Sequence, residues 1–592
     1  GSFRDPNELG SGGGADSDFG GNGGGLVRMT VNTLNLEGQI LAHGGNGTPW
    51  GGGGSGGGIK ITSGTISGGG LIRANGGTAG TTQPGGGGGG RIAIYYTDGA
   101  AFDFANVQAV GGQIARQAGT AGTIYFESTA TPLGELIVHA FGTNVPTAFT
   151  PLLSLAGGSS TALEANRLTD TNASFIPGGL IGLRLQPDTG TAATFRIVGN
   201  TTNTIVTDPA DGPLTSVATV GGTYFAELGV GHLALRGGAK VDLVDGDRLR
   251  PDRRGRLHAR TVEILGGSWL SHPESSDVFQ TGLELVVDDA LTIDATSRVD
   301  VTGRGYLGAR RPGNNVWEGR TLGNTSVGGS TRRNGGSYGG SGGIGTAGGT
   351  ANALYGQPED PNEPGSGGGA DSDFGGHGGG LIRIVARNVT LNGQLVANGG
   401  AGTPWGGGGS GGGIKLTAET LGGAGSLSAH GGDAGSTQPG GGGGGRVAVL
   451  YQTLDGFPLA NVLANGGTAW GAGANGSLFL QQLNYVSPPA LTNPSRNGFV
   501  GFTSIQLFGS PNLISANGHS LAEESVTLEI RWQAPDPERY VIEMSHDLVH
   551  WTPVTLSYSL ADEGGRLTRL AHDAGRNCFL RLRLKSTAWL GR

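Results

Sequence analysis

Residues 10–98 of this chain recur as residues 365–453 without a gap, at an offset of 355, and 58 of the 89 aligned positions are identical. Such a duplication points to a repeat architecture, in which the apolar face of one unit is buried by the next. The string from Gly10 to Phe19 reappears as Gly365 to Phe374. Thr48-Pro49-Trp50 returns as Thr403-Pro404-Trp405, and Gln83-Pro84 as Gln438-Pro439. The match reaches back to Asp5-Pro6-Asn7 and Asp360-Pro361-Asn362, whereas residues 281–355 have no counterpart ahead of Gly1. Residues 1–355 therefore read as one period opened at an arbitrary point. The expectation is a natural protein that extends upstream with further periods.

A shorter repeat lies inside each copy. Leu26, Ile59 and Ile92 are 33 residues apart, as are Leu381, Ile414 and Val447. Each unit reads as an apolar strand entered from glycine, a second short strand and a Gly-rich return. The second strand runs into an Ala-x-Gly-Gly signature, at Ala42, Ala74, Ala397 and Ala429. Two strands of this length cannot bury their own apolar face, so the units must stack strand on strand, which predicts a β-solenoid.

Glycine sets the second constraint. The chain holds 124 Gly and 26 Pro in 592 residues, about a quarter of the total, where ordinary domains hold roughly an eighth. Collagen is excluded, because the glycines come in runs such as Gly85 to Gly90 and not at every third position. Ordering each glycine backbone costs about 1–2 kcal/mol with no side-chain burial in return. Ordered runs must therefore bond their N–H and C=O groups to neighbours. Left-handed threefold polyglycine can do this laterally, since no Cβ blocks close approach. The prediction is an all-β chain, a solenoid of parallel β-helix type with bundled polyglycine II-type segments. The alternative reading of the runs is flexible surface loops.

The remaining segments divide the chain. Residues 1–129 form the first Gly-rich block and 311–487 the second. Residues 130–228 carry short alternating strands punctuated by turn residues and read as a small β-barrel or sandwich. Residues 229–310 return to solenoid rungs, such as Leu233-Ala234-Leu235 and Thr261-Val262-Glu263-Ile264. A long Gly/Arg-rich insertion follows Arg298-Val299-Asp300-Val301. Residues 488–592 lose their glycine and show period-two strands, as at Val526–Trp532 and Phe579–Leu584, which suggests an immunoglobulin- or fibronectin-like sandwich.

The Gly-rich blocks, the segment Asp294 to Gly305, the turn around Trp551 and the Phe579-Leu580-Arg581-Leu582-Arg583 strand together resemble large Gly-rich repeat proteins secreted by bacteria. That resemblance implies an extracellular, cell-surface protein with a structural, adhesive or matrix role, and it brings no catalytic motif. The glycine pattern is also similar to that of Gly-rich phage adhesin tips and Gly-rich antifreeze proteins.

Charge and motifs narrow the partners. There are 38 basic against 46 acidic residues, a net charge of -8, which argues against nucleic acid. No apolar run is long enough for a membrane span. The single cysteine, Cys578, rules out an internal disulfide. Asp16 and Asp18, repeated as Asp371 and Asp373, are hard oxygen ligands on tight turns near Asp5, Asn7 and Glu8, which makes Ca²⁺ the candidate cofactor. The preferred reading is that they cap Gly turns. Trp50 and Trp405 could stack on a sugar; the preferred reading lays them over the glycine surface. His43 and His430 share a slot with Asn75 and Asn398, which suggests a hydrogen-bonding ladder. Asp242, Asp245 and Asp247 could serve polysaccharide cleavage on a β-helix, but Arg248, Arg250, Arg253 and Arg254 follow them, and a solvated charged turn accounts for the run.

The expected function is a non-enzymatic structural building block of a surface fibre or matrix layer, associating with itself or with upstream repeats of the same chain. The alternatives are an adhesin for a glycan or another cell-surface partner, and a polysaccharide-active enzyme.

Overall fold

In a computed structural model the chain is a β-solenoid of about 14 turns, followed by a separate terminal unit that begins at Ala490. The structure describes residues 1–80, 84–113, 117–142, 148–191, 193–435 and 438–483, and between 501 and 584 the backbone of the strands alone.

The smaller repeat stacks in register. Leu26–Asn35, Gly58–Gly68, Arg91–Phe102 and Thr123–Ser128 pair in parallel, so that Val27, Ile59, Ile92 and Ile124 form one column. In the second block the column runs from Leu283 through Ile382, Ile414 and Val447 to Leu478. Period-two alternation turns these residues inward, and each fully buried isoleucine contributes about 1.5–3 kcal/mol. A second ladder of short strands closes each coil. It comprises Gln39–Leu41, Leu71–Arg73 and Val107–Gln108 in the first block. Arg298–Asp300, Gln394–Val396, Ser426–Ser428 and Val462–Leu463 form the corresponding, separate ladder in the second.

One junction breaks the parallel order. Thr123–Ser128 pairs antiparallel with Glu135–His139, which then pairs in parallel with Thr223–Arg236. The core changes sides at the same place. Ile124 packs with Ile59, Ile61, Ile92 and Ile94, whereas Leu136, on the opposite face of the sheet, packs with Leu233, Val262 and Ile264. Reversing the strand direction alone would invert the hand of the coil. Reversing the core side as well restores it, so both halves of the solenoid share one hand.

The region 130–228 is partly solenoid. Glu135–His139 and Thr150 to Ser154 pair in parallel with rung strands. The antiparallel insertion lies between Leu155 and Glu227. Its Leu183 and Leu185 share a core with Phe3, Ala93 and Tyr125, so the insertion covers the back of the first block's sheet.

The glycine runs are laterally bonded. Along residues 52–57 each successive N–H donates to a different neighbour, in a cycle of three. Gly52 and Ser55 donate to Gly14 and Ser11, Gly53 and Gly56 to Gly85 and Gly88, and Gly54 and Gly57 to Gly45 and Ala42. Residues 407–412 repeat the cycle, to Gly369 and Ser366, Gly440 and Gly443, and Gly400 and Ala397. Three residues per turn with lateral bonds in three directions is the pattern of a polyglycine II bundle. None of these residues has positive φ. The spacing admits no side chain: a Cβ on Gly54 would lie 2.0 Å from the Asn22 oxygen, and one on Gly409 would lie 1.9 Å from that of His377. Ser55 and Ser410, at matching positions, are the exceptions that fit. The Ser55 hydroxyl accepts from the Ser11 N–H at 2.7 Å. Ser410 shows the same arrangement: it is buried, and its hydroxyl accepts from the Ser366 N–H at 2.8 Å.

In the terminal unit, strands at Gly501–Phe508, Ser525–Gln533, Ser559–Asp562 and Gly565–Asp573 form one antiparallel sheet. Tyr540–Ser545, Thr552–Pro553 and Phe579–Leu584 form another. The Trp551 turn and Cys578 lie outside the described residues.

Gly54→Ala should lower stability by about 1–3 kcal/mol through overpacking. Gly38→Ala, whose Cβ meets nothing within 4 Å, should stay within about 0.5 kcal/mol of the parent. Urea midpoints of the two variants check this; equal midpoints would contradict the bundle.

Candidate functional site

The sequence candidates gather where the glycine runs turn back. The Gly51 N–H donates to the Thr48 carbonyl at 2.8 Å, closing a turn through Pro49 and Trp50. Proline presets φ for such a turn. The Thr48 hydroxyl accepts from the Phe19 N–H at 2.8 Å and donates to the Phe19 carbonyl at 2.9 Å. Asp18 Oδ2 accepts from the Trp50 N–H at 3.3 Å. In the second copy Thr403 holds Phe374 in the same way, and Asp373 Oδ2 accepts from the Trp405 N–H at 3.2 Å. Asp18 and Asp373 therefore brace the tryptophan turns.

The two copies differ in what surrounds this corner. Asp371 Oδ2 pairs with Arg333 Nε at 3.1 Å, and the same guanidinium lies 4.3 Å from the centre of the Trp405 ring. Arg311 lies 5.3 Å from the Phe374 ring centre, and its Nε donates to the Gly375 carbonyl at 2.9 Å. Both arginines come from the Gly/Arg-rich insertion. The first copy lacks them: Asp16 is exposed without an ion pair among the described residues, Trp50 is 50% exposed and Phe19 is 77% exposed. The sequence separates Arg333 from Trp405 by more than seventy residues, and nothing in its pattern pairs them.

The acidic groups do not converge. Asp5 lies 2.7 Å from Lys60 and 2.9 Å from Arg28, and Asp360 repeats the arrangement with Lys415 and Arg383. Burial raises the Asp5 carboxyl pKa, but the Lys60 and Arg28 cations outweigh it and hold it below the usual range. Glu363 accepts from the Tyr306 hydroxyl at 3.0 Å. Among the described residues no group of three or more His, Cys, Asp or Glu side chains comes together.

The His/Asn slot is a ladder. The Asn75 N–H donates to His43 Nδ1 at 3.1 Å, and the Val110 N–H to Asn75 Oδ1 at 2.9 Å. The His430 N–H donates to Asn398 Oδ1 at 2.7 Å, and the Asn465 N–H to His430 Nδ1 at 3.0 Å. Burial lowers the pKa of both histidines, which keeps Nδ1 unprotonated as an acceptor. In the second block the ladder lines an open groove of about 450 Å³.

The charged run at Asp242 is not solvated, contrary to expectation. Asp245 and Asp247 are buried. Asp245 Oδ1 accepts N–H groups from Asp247 and Ala156, and Asp247 Oδ1 accepts from Ser174 and Leu249. Burial pushes the Asp245 carboxyl up to about 7. Asp242 pairs with Arg304 at 3.0 Å. Asp245 and Asp247 tie the antiparallel insertion to the solenoid. A further group had no signal in the sequence: His258 lies between Glu227 at 2.9 Å and Asp288 at 3.2 Å. Burial opposes its charge, but its hydrogen bonds to the two carboxylates prevail and raise its pKa to about 9. With both ring nitrogens donating, this imidazolium is no general base near neutral pH.

No protein family matches this chain, and neither a curated protein nor a solved structure matches it. Among the described residues no helix is long and apolar enough to cross a membrane.

His377 links the insertion to the second bundle, because its Nδ1 accepts from the Gly308 N–H at 3.0 Å. Burial, aided by Arg311, lowers its pKa from 6.5 to about 4. The unfolded chain therefore takes up this proton first. The stability that His377 contributes is complete above 6.5 and drains away as pH falls toward about 4. Asn22 fills this position in the first copy. His377→Asn should make the fall in melting temperature between pH 7 and 4 shallower. Some fall should remain, because burial also lowers the pKa of His272, to about 3. An unchanged pH profile would contradict this role.

Proposed function

We propose that this chain is a non-enzymatic structural repeat protein of the bacterial cell exterior, a building block of a surface fibre or matrix layer. The observation that carries the reading is the three-direction bonding of the glycine runs. Residues 52–57 donate to the runs before them, at Ser11, Gly14, Ala42 and Gly45, and to the run after them, at Gly85 and Gly88. Each coil of the two glycine blocks is thus tied to its neighbours twice, once through the apolar rung and once through glycine.

The mechanism is mechanical. Strand ladders alone leave the loops of a solenoid free to splay. A laterally bonded bundle removes that freedom and leaves almost no slack backbone for a protease or a shearing force to engage. The titratable groups within the solenoid support the same reading, because Asp242, Asp245, Asp247 and His258 are each held in ion pairs or turn bonds.

Electron microscopy of material isolated from the source should show units joined end to end or side to side. Well-separated single particles would contradict the reading.

A further inference from the structure

The first glycine bundle has an open face that the second does not. In the second block the face is closed by residues 305–356. The N–H groups of Gly367, Gly369, Gly375, Gly378, Gly440 and Gly443 donate to the carbonyls of Arg320, Asn334, Ala309, Tyr306, Arg333 and Gly336, at 2.8 to 3.0 Å. The corresponding donors in the first block are Gly12, Gly14, Gly20, Gly23, Gly85 and Gly88. None of these N–H groups has an acceptor among the described residues. They are arranged as an array of donors with the spacing of a missing neighbour.

Of these six positions the first block itself requires glycine at Gly20 and Gly23, where a Cβ would lie 1.9 Å from the Gly13 oxygen and 1.7 Å from the Gly10 oxygen, but at the other four glycine is kept without that need. A Cβ on Gly14 or Gly85 would meet nothing within 4 Å, and one on Gly12 or Gly88 would come no closer than 3.4 Å to its surroundings. At the matching positions of the second block, Cβ atoms on Gly367, Gly369, Gly440 and Gly443 would lie 1.9 to 2.5 Å from carbonyl oxygens of the insertion. An exposed glycine costs conformational entropy that alanine would not. The first block carries the glycines that a packed segment would need.

The corner residues complete the match. In the second block Trp405 and Asp371 seat the Arg333 guanidinium, and Phe374 faces Arg311. In the first block Trp50, Asp16 and Phe19 present the same aromatic and acidic groups without a cation.

We propose that the open face of the first block is a docking site for an extended, glycine-rich polypeptide segment bearing arginine, of the chemistry of residues 305–356. Its carbonyls would accept from the free glycine N–H groups, and one guanidinium would sit on Trp50 and Asp16. This deepens the structural-repeat reading by naming the partner of one face, and it rests on that reading only for the bundle itself. Such a contact would join successive glycine blocks through the same lateral bonds that build each one.

The test adds a fluorescently labelled synthetic peptide of residues 305–356 to the full chain and follows anisotropy. Saturable one-to-one binding is expected. Trp50→Ala should weaken it by about tenfold, the scale of a guanidinium stacked on an indole, and Trp405→Ala should leave it unchanged. The double variant Gly14→Ala/Gly88→Ala should abolish binding while keeping the parent's melting temperature, because both Cβ atoms have room in the isolated fold. No saturable binding, or binding indifferent to both Trp50→Ala and the glycine variants, would overturn the proposal. So would self-association of the chain through this face in place of peptide binding, detected by sedimentation and lost in the glycine variants. Failure to bind would leave the fibre reading standing, since electron microscopy tests that separately.

Discussion

The absence of Cβ atoms along the glycine runs is the constraint on which the structure depends. A lateral hydrogen bond contributes a net of about 0.5–1.5 kcal/mol, and ordering a glycine backbone costs about 1–2 kcal/mol. The bonds alone do not hold a free run in place. The balance shifts because each run leads straight into a buried rung, residues 51–57 into Ile59 and residues 85–90 into Ile92. Close approach then adds Cα–H···O contacts that no other residue type permits. In the two glycine blocks rungs and runs support one another, while the rungs Thr223–Arg236, Asp252–Ile264 and Gln280–Ile293 between them stack without a run.

The junction at Ser128 to Glu135 shows how the solenoid accommodates a reversal. Strand direction and core side change together, so the ladder stays continuous while Tyr125 and Ile124 serve different cores. The glycine runs enter the long strands at their N-terminal ends in both halves. Reversal therefore sends the two bundles to opposite ends of the strands. The antiparallel insertion, braced by Asp245 and Asp247, fills the back of the first sheet that the reversal would otherwise leave bare.

Much of this was legible because repetition leaves a direct mark in sequence. The spacing of Leu26, Ile59 and Ile92 announced the rungs, and the alternation of His43 with Asn75 announced a side-chain ladder. The equal length of the glycine runs in both copies announced a bundle, because slack loops have no reason to keep register. The reversal was not legible. Ile124 and Leu136 are both ordinary inward-looking apolar residues, and the side of the sheet on which each one's core lies is decided by pairing across the hairpin. The burial of Asp245 was hidden because neighbouring arginines make the run look solvated. The seating of Arg333 on Trp405 and Asp371 was hidden because the insertion folds back across the block that follows it. Its register is set by backbone bonds and leaves no periodic trace.

Amide hydrogen exchange of the full chain, resolved to peptides covering residues 51–57 and 406–412, tests the central claim most directly. The account predicts that these runs exchange as slowly as the apolar rungs Ile59 to Ile66 and Ile414 to Leu421 beside them. Exchange at the rate of an unstructured glycine peptide, while those rungs stayed protected, would contradict it.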